Sequence, residues 1–320
     1  MRHVFIINPA AGKGHSQNGL EKEITKAADE LGVSYEIYYS SCIGDAERYV
    51  RSLCETSVTE PIRFYACGGD GTLNEVANGA VGFENAGIGV IPVGTGNDFV
   101  KNFDHKDPFF DIAAQINGKA IKIDGIKIND KYSINMANMG FDCSVVETVA
   151  KIKRRPWISS DFAYIAGVIA EFVKLPDVKV KSMTVDGERV NKSSLLLCVL
   201  ANGCFYGGGF HPAPKAELDD GLIDIFYIDR ISRLNFINLI GSYKKGTYIN
   251  NERIMKMATY HKCREVDVDF GGEVSVCVDG EVAKFSRVHI ESAPRLFNFI
   301  LPEGVSYKDR APSENEALPV

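Results

Sequence analysis

The run Gly68-Gly69-Asp70-Gly71-Thr72-Leu73-Asn74-Glu75 follows an apolar stretch at 62–67 and leads into a helical pattern. Glycines let the backbone take positive φ and let successive N–H groups approach an anion at a helix start, which suits phosphate. A carboxylate in such a cradle would repel a polyphosphate unless compensated, so the sensible role for Asp70 is to hold Mg2+, directly or through water. A lone Gly-Gly is ordinary punctuation after a strand; two glycines, Asp, Gly and Thr in sequence point to a ligand. Two further Gly-rich segments follow apolar runs: Asn8-Pro9-Ala10-Ala11-Gly12-Lys13-Gly14 and Pro92-Val93-Gly94-Thr95-Gly96-Asn97-Asp98.

These loops need elements to hold them. Apolar runs at 4–7, 35–39, 62–67 and 88–91 alternate with helical spacing at Leu20, Ile24, Ala27, Ala28 and Leu31 and at Val76, Ala77 and Ala80. That alternation predicts a Rossmann-like α/β domain with a parallel sheet covered on both faces. Such sheets bind ligands at the carboxyl ends of their strands, where the three loops converge. Beyond about residue 120, strands are joined by short turns. Asn129-Asp130 links 121–128 to 132–139, Asp186-Gly187 follows 178–185, and Asp279-Gly280 follows 274–278. This half reads as antiparallel and β-rich, with helices at 145–153, 162–175 and 234–248. The last places Leu234, Ile237, Ile240 and Tyr243 on one face. The expected organisation is a nucleotide-binding domain at 1–122, a β-rich domain at 123–307 whose final segment returns to the first, and a polar tail at 308–320.

Composition narrows the function classes. The 320 residues exceed what one core usually supports, and 45% hydrophobic with 24% charged residues describes a globular chain. Lys and Arg number 36 against 42 Asp and Glu, a net charge of −6, which disfavours nucleic acid as a partner. No run approaches the roughly 20 apolar residues of a membrane span. Eight Cys without a Cys-x-x-Cys argue against zinc and a disulfide scaffold, and with no export signal at the N-terminus the expectation is a reducing cytoplasm. The P-loop, the dinucleotide G-x-G-x-x-G and the protein-kinase His-Arg-Asp loop are all missing.

Together, Asn8-Pro9-x-x-Gly12-Lys13, the 68–76 string and Pro92-x-Gly94-Thr95-Gly96-Asn97-Asp98-Phe99 resemble the diacylglycerol kinase catalytic family, which includes sphingosine, ceramide and bacterial soluble lipid kinases. The resemblance continues through Asp124, Asn135, Gly140-Phe141-Asp142, Gly207-Gly208-Gly209, Asp220-Gly221 and Asp279-Gly280-Glu281. It implies an N-terminal domain like that of NAD kinases and phosphofructokinases, and transfer of the γ-phosphate of ATP to a lipid hydroxyl, diacylglycerol first, with Mg2+. Asn8, Pro9, Gly12, Lys13, Ser40, Gly68, Gly69, Gly71, Thr72, Gly94, Thr95 and Asn97 would line the nucleotide. Asp70, Asp98 and Asp124 would surround the catalytic Mg2+, and a structural Mg2+ would take Asp220 with the main-chain oxygens of Glu217 and Leu222. Glu281 is the expected general base. Asp-Gly-Glu alone reads as a hairpin turn and occurs also at 186–188, so this assignment comes from its position near the family's C-terminal end.

A lipid kinase must reach a bilayer. Lys151, Lys153, Arg154, Arg155 and Trp157 beside an apolar helix could dock peripherally on anionic headgroups, and equally form a solvated helix end. An edge strand of the β-rich half could pair two copies into a homodimer. An NAD kinase-like or other small-molecule kinase, and a non-catalytic nucleotide-dependent regulator or membrane module, stay as alternatives.

Overall fold

The computed structural model describes residues 1–12, 17–153, 160–175 and 177–307, with backbone only at 17, 18, 153 and 160–165. In the first half the order is β1 (Arg2–Ile7), α1 (Gln17–Leu31), β2 (Tyr35–Tyr39), α2 (Asp45–Thr56), β3 (Ile62–Gly68), α3 (Asp70–Ala80), β4 (Ala86–Pro92) and α4 (Ile112–Asn117). β1 runs parallel to β2 and β3, and β3 parallel to β4. The strands are apolar on both sides because both sides are covered. Val4, Ile6, Phe64 and Ala66 face α2 and α3, whereas Phe5, Ile7, Tyr65 and Cys67 face α1 and α4. The strand order 2-1-3-4 reverses between β1 and β3, so the loops leaving those two strands open a crevice at a topological switch point. α2 escaped the sequence reading because only Ala46, Val50 and Cys54, four residues apart, are buried in an otherwise charged segment.

The second half contains β5 (Lys119–Ile128), β6 (Lys131–Ser133), β7 (Met136–Gly140), α5 (Phe141–Lys153), α6 (Ser160–Lys174), β8 (Val178–Lys179), β9 (Ser182–Val185), β10 (Glu188–Val190), β11 (Ser194–Leu195), β12 (Leu197–Ala201) and β13 (Ile223–Ile228). There follow α7 (Arg233–Lys245), α8 (Glu252–Met255), β14 (Ala258–Cys263), β15 (Glu265–Val278) and β16 (Glu281–Leu301). Pairing of β7, β12, β13, β14 and β15 is antiparallel. Along β12, Cys198 and Leu200 enter the sandwich core while Leu197, Val199 and Ala201 pack under α5 and α7.

β16 is the seam. Its Val288 and Ile290 lie in the sandwich core, and its Phe297, Phe299 and Leu301 lie in the core of the α/β half. There Asn298 and Phe299 pair in parallel with Gly87 and Ile88 of β4, which joins β16 to the sheet of the α/β half. β5 crosses the same boundary, with Ile123 in one core and Ile126 and Ile128 in the other.

Two expectations change. The predicted strand 132–139 breaks at Ile134 and Asn135, whose amides turn to the Asp279 carboxylate. α7 buries Phe236, Leu239 and Tyr243 and leaves Leu234 and Ile237 exposed, because the helix carries two apolar stripes and the aromatic one wins the core. Lys13, Arg154, Arg155, Trp157, the side chain of Lys153 and the tail 308–320 lie outside the described residues. Among the described residues, no helix is long and apolar enough to cross a membrane.

Candidate active site

The three Gly-rich loops meet where the sequence brings them. Asn8 at the end of β1 donates from Nδ2 to Thr72 Oγ1 at 3.0 Å, and Gly94 N donates to Gly68 O at 3.1 Å. Glycine is required by proximity: a β-carbon on Gly94 would fall 2.4 Å from Gly69 Cα, and one on Gly68 would fall 2.2 Å from Thr72 Oγ1. Gly12, at φ +65°, lies against Val93 O, which a β-carbon would approach to 2.7 Å. Ser40, beside the end of β1, donates its amide to Ile7 O at 2.9 Å. Asn97 adopts φ 50° and donates from Nδ2 to Pro92 O and Gly94 O at 2.7 and 2.9 Å. Its buried Oδ1 has no partner among the described residues, leaving one acceptor aimed at the Gly69–Gly94 contact. Gly71 and Thr95 are exposed at the mouth.

Asp70 begins α3 and is half-buried, and desolvation pushes its carboxyl above the ordinary range despite amides from Asp98 and Phe99, each at 3.0 Å. Asp98 is buried; Lys101 pairs with its Oδ1, and the amide of Gly208, from the second domain, donates to its Oδ2 at 2.8 Å. A β-carbon built on Gly96 would lie 3.1 Å from Asp70 Oδ2 and 3.6 Å from Asp98 Oδ2. Both carboxylates therefore face the space that this glycine leaves open, a hard oxygen donor pair that fits Mg2+.

Asp124 is employed differently. Its oxygens accept from Gly221 N and Arg295 N, both at 2.6 Å, which ties the 218–222 loop to the bulge of β16 at the domain seam. Burial raises its carboxyl, with Asp220 and Asp219 adding to the effect. Asp220 accepts from Leu222 N at 2.9 Å through Oδ1, and its Oδ2 pairs with the Lys262 ammonium. Lys262 also reaches Asp224 at 3.5 Å and Glu217 at 3.7 Å. Asp220 Oδ2 thus faces a cation of the chain's own, and the donors a structural Mg2+ would take there are Asp220 Oδ1 and the main-chain oxygens of Glu217 and Leu222, which the Lys262 pairs do not involve.

Glu281 opens β16 directly after the two-residue turn Asp279-Gly280, whose φ values of 45° and 91° suit a tight hairpin. Burial pushes its carboxyl up; Lys131 opposes this and Glu75 and Glu47 reinforce it, so Glu281 faces the α2–α3 side of the first domain. The other Asp-Gly-Glu turn lies elsewhere, with Glu188 exposed on a hairpin beside Val266–Asp269.

Asp279 is the residue that sequence reasoning missed. Its carboxylate accepts from Ser133 Oγ (2.8 Å), Ile134 N (2.9 Å), Asn135 N (3.2 Å) and Met136 N (2.8 Å), and burial lifts it to about 6. A turn Asp looks the same in sequence whether it caps nothing or four donors; the only signal was the adjoining Glu281. Asp279→Ala strands buried amides at about 1–3 kcal/mol each when unsatisfied, and relief of the buried charge offsets part of this. The expected net loss is about 3 kcal/mol, read as a lower urea midpoint; an unchanged midpoint would contradict this account.

Known proteins resemble the chain over both of its halves. Residues 2–128 match the diacylglycerol kinase catalytic domain and residues 135–301 the YegS C-terminal NAD kinase beta sandwich-like domain. The chain is 29% identical over 310 residues to a diacylglycerol kinase of Bacillus subtilis, covering 93% of this chain and 96% of that protein. It is also 29% identical over 323 residues to a diacylglycerol kinase of Staphylococcus epidermidis, covering 97% and 98%. A crystal structure of a Bacillus anthracis diacylglycerol kinase shares the fold at a TM-score of 0.67 and 21% identity, over 95% of this chain and 98% of that one. With both halves matched in order and nearly the whole length covered, the chain belongs to the diacylglycerol kinase-like family of lipid kinases.

Proposed function

We propose that this lipid kinase transfers the γ-phosphate of ATP to the free hydroxyl of diacylglycerol, with Mg2+, giving a phosphatidic acid-type product. The observation that carries the reading is the meeting of three Gly-rich loops around the Asp70–Asp98 pair. Amides of the 68–72 loop at the start of α3 receive phosphate oxygens, with Asn8, Ser40, Thr72, Thr95 and Asn97 around the nucleotide. Asp70 and Asp98 hold the cation, which when bound neutralises charge on the transferring phosphoryl group. Glu281, across the domain boundary, accepts the proton of the attacking hydroxyl. Diacylglycerol is chosen over other acceptors because relatives named diacylglycerol kinase cover both domains. The test is labelled ATP with diacylglycerol, a sphingoid base, phosphatidylglycerol and NAD. Phosphatidic acid is the expected product; product from NAD alone, or from none, would overturn the reading.

The acceptor lies in a bilayer, and one face suits that surface. Ile169 and Val173 of α6 are 58% and 62% exposed, and Leu234 and Ile237 of α7 are 75% and 55% exposed. The helices adjoin, since the Phe172 and Phe236 rings meet at a tilt with centroids 5.5 Å apart and Arg233 donates to Val173 O at 2.7 Å. Arg233 and the exposed Arg230 and Lys151 supply cations for anionic headgroups. Burying an aliphatic side chain is worth about 1.5 kcal/mol or more. Ile169→Glu with Ile237→Glu is therefore expected to weaken sedimentation with phosphatidylglycerol-containing vesicles by about 100-fold; unchanged sedimentation at low salt would refute this face.

A further inference from the structure

The carboxylate of Asp142 takes no part in the site described above. It sits in the first turn of α5, buried, and accepts from the Tyr206 hydroxyl and, at 3.0 Å, from the Tyr243 hydroxyl. The two hydroxyls lie 3.4 Å apart, so one oxygen gathers both phenols. Tyr206 begins the Gly207-Gly208-Gly209 segment, where φ is 59°, 83° and 107°. Three consecutive residues in the left-handed region without side chains give a backbone with little preference of its own. Its ends are closed by Tyr206 N to Phe210 O at 3.0 Å and Phe210 N to Tyr206 O at 2.8 Å. On the entering side, Asn135 Nδ2 donates to Phe205 O at 2.9 Å. At its middle, the exposed Gly208 donates its amide to Asp98 Oδ2 at 2.8 Å, bridging the two domains.

We propose that Asp142 is a positioning residue: by anchoring the Tyr206 hydroxyl it sets the triple-glycine strap so that the Gly208 amide orients Asp98 in the cleft. An Asp98 rotated out of line would present the cation and phosphates with the wrong oxygen, and small misplacements of catalytic groups cost large factors in rate. The arrangement is held against stability. Burial lifts the Asp142 carboxyl to about 6 even though both tyrosines lower it, so near neutral pH the folded protein carries a charge it would hold more easily unfolded. Removing the charge while keeping an acceptor oxygen is therefore expected to raise stability, unlike Asp279→Ala, which also removes the acceptor of four donors.

That sign supplies the test, which rests on Asp98 acting as proposed above. Asp142→Asn keeps the shape and removes the charge; Tyr206→Phe keeps the ring and removes the hydroxyl. Both are expected to lower kcat about tenfold at unchanged KM for ATP. Asp142→Asn is further expected to raise the melting midpoint at pH 7.5 by a few degrees. Hydrogen exchange at 207–209 in the full chain should quicken in both variants, with the strands of the sandwich unaffected. Wild-type exchange at Gly208 in both variants, or a kcat loss that follows a fall in melting midpoint, would overturn the proposal. Exchange is read without turnover, so an enzyme inactive towards every acceptor would count against the assigned reaction and leave this measurement decisive for the strap.

Discussion

Glu281→Gln is expected to reduce kcat by about 10²–10⁴-fold, the range over which a positioned general base contributes, with the fold intact. Gln keeps the length and hydrogen-bonding shape of the side chain, and Glu281 lies at a half-buried strand start and forms no ion pair among the described residues. What is lost is the ability to take a proton. A lipid hydroxyl does not ionise near neutral pH, so the attacking oxygen needs an acceptor as the bond to phosphorus forms. A base works best when its pKa approaches the working pH. Burial together with Glu75 and Glu47 moves Glu281 in that direction, against the pull of Lys131. The sign of the pH dependence follows. Below the raised pKa the protonated carboxyl cannot accept, so wild-type kcat/KM should fall on the acid side through a value above the ordinary Glu range. In Glu281→Gln that limb should be gone along with most of the activity. Wild-type turnover in a variant that melts normally would remove Glu281 from the reaction.

The Gly-rich loops were legible because their chemistry is local. Gly69 and Gly94 are glycines for the same reason that the site exists, since backbone approaches backbone there, and Gly68 leaves room for the Thr72 side chain. The alternation of β1 and β3 was equally plain, because each residue of Val4 to Ile7 had to be apolar for one core or the other. What stayed hidden is long-range. Nothing near Asp124 in the chain announces that its carboxylate will hold Gly221 and Arg295, 97 and 171 residues away. Lys262 reads as an ordinary strand lysine until β13 sets it opposite Asp224 and the loop before β13 brings Asp220. In α7, periodicity alone supported the stripe Leu234–Ile237–Ile240 as well as Phe236–Leu239–Tyr243. Only the aromatic neighbours Phe141, Phe172 and Phe226 decide between them, by ring contacts that a single helix cannot display.

Asp70→Asn is expected to lower kcat/KM by about 10²–10³-fold, the loss typical of removing one preorganised electrostatic group, and to raise the Mg2+ concentration needed for half-maximal rate. Both oxygens of Asp70 accept backbone amides, from Asp98 through Oδ2 and from Phe99 through Oδ1. An Asn has one acceptor and sets an N–H donor against the other amide. One buried N–H then goes unpaired, at about 1–3 kcal/mol. The penalty of burying the charge, visible in the raised Asp70 carboxyl, is relieved at the same time, so the net destabilisation should be about 2 kcal/mol or less. A domain stable by about 5–15 kcal/mol stays folded under that change, whereas the activity loss corresponds to about 3–4 kcal/mol of transition-state stabilisation. The two measurements therefore separate the roles of this carboxylate: a modest fall in melting temperature reports the lost amide, and the shifted Mg2+ dependence reports the lost charge. Equal Mg2+ dependence in both proteins would mean that Asp70 serves only to fold the 92–99 loop, and that the cation is held by Asp98 without it.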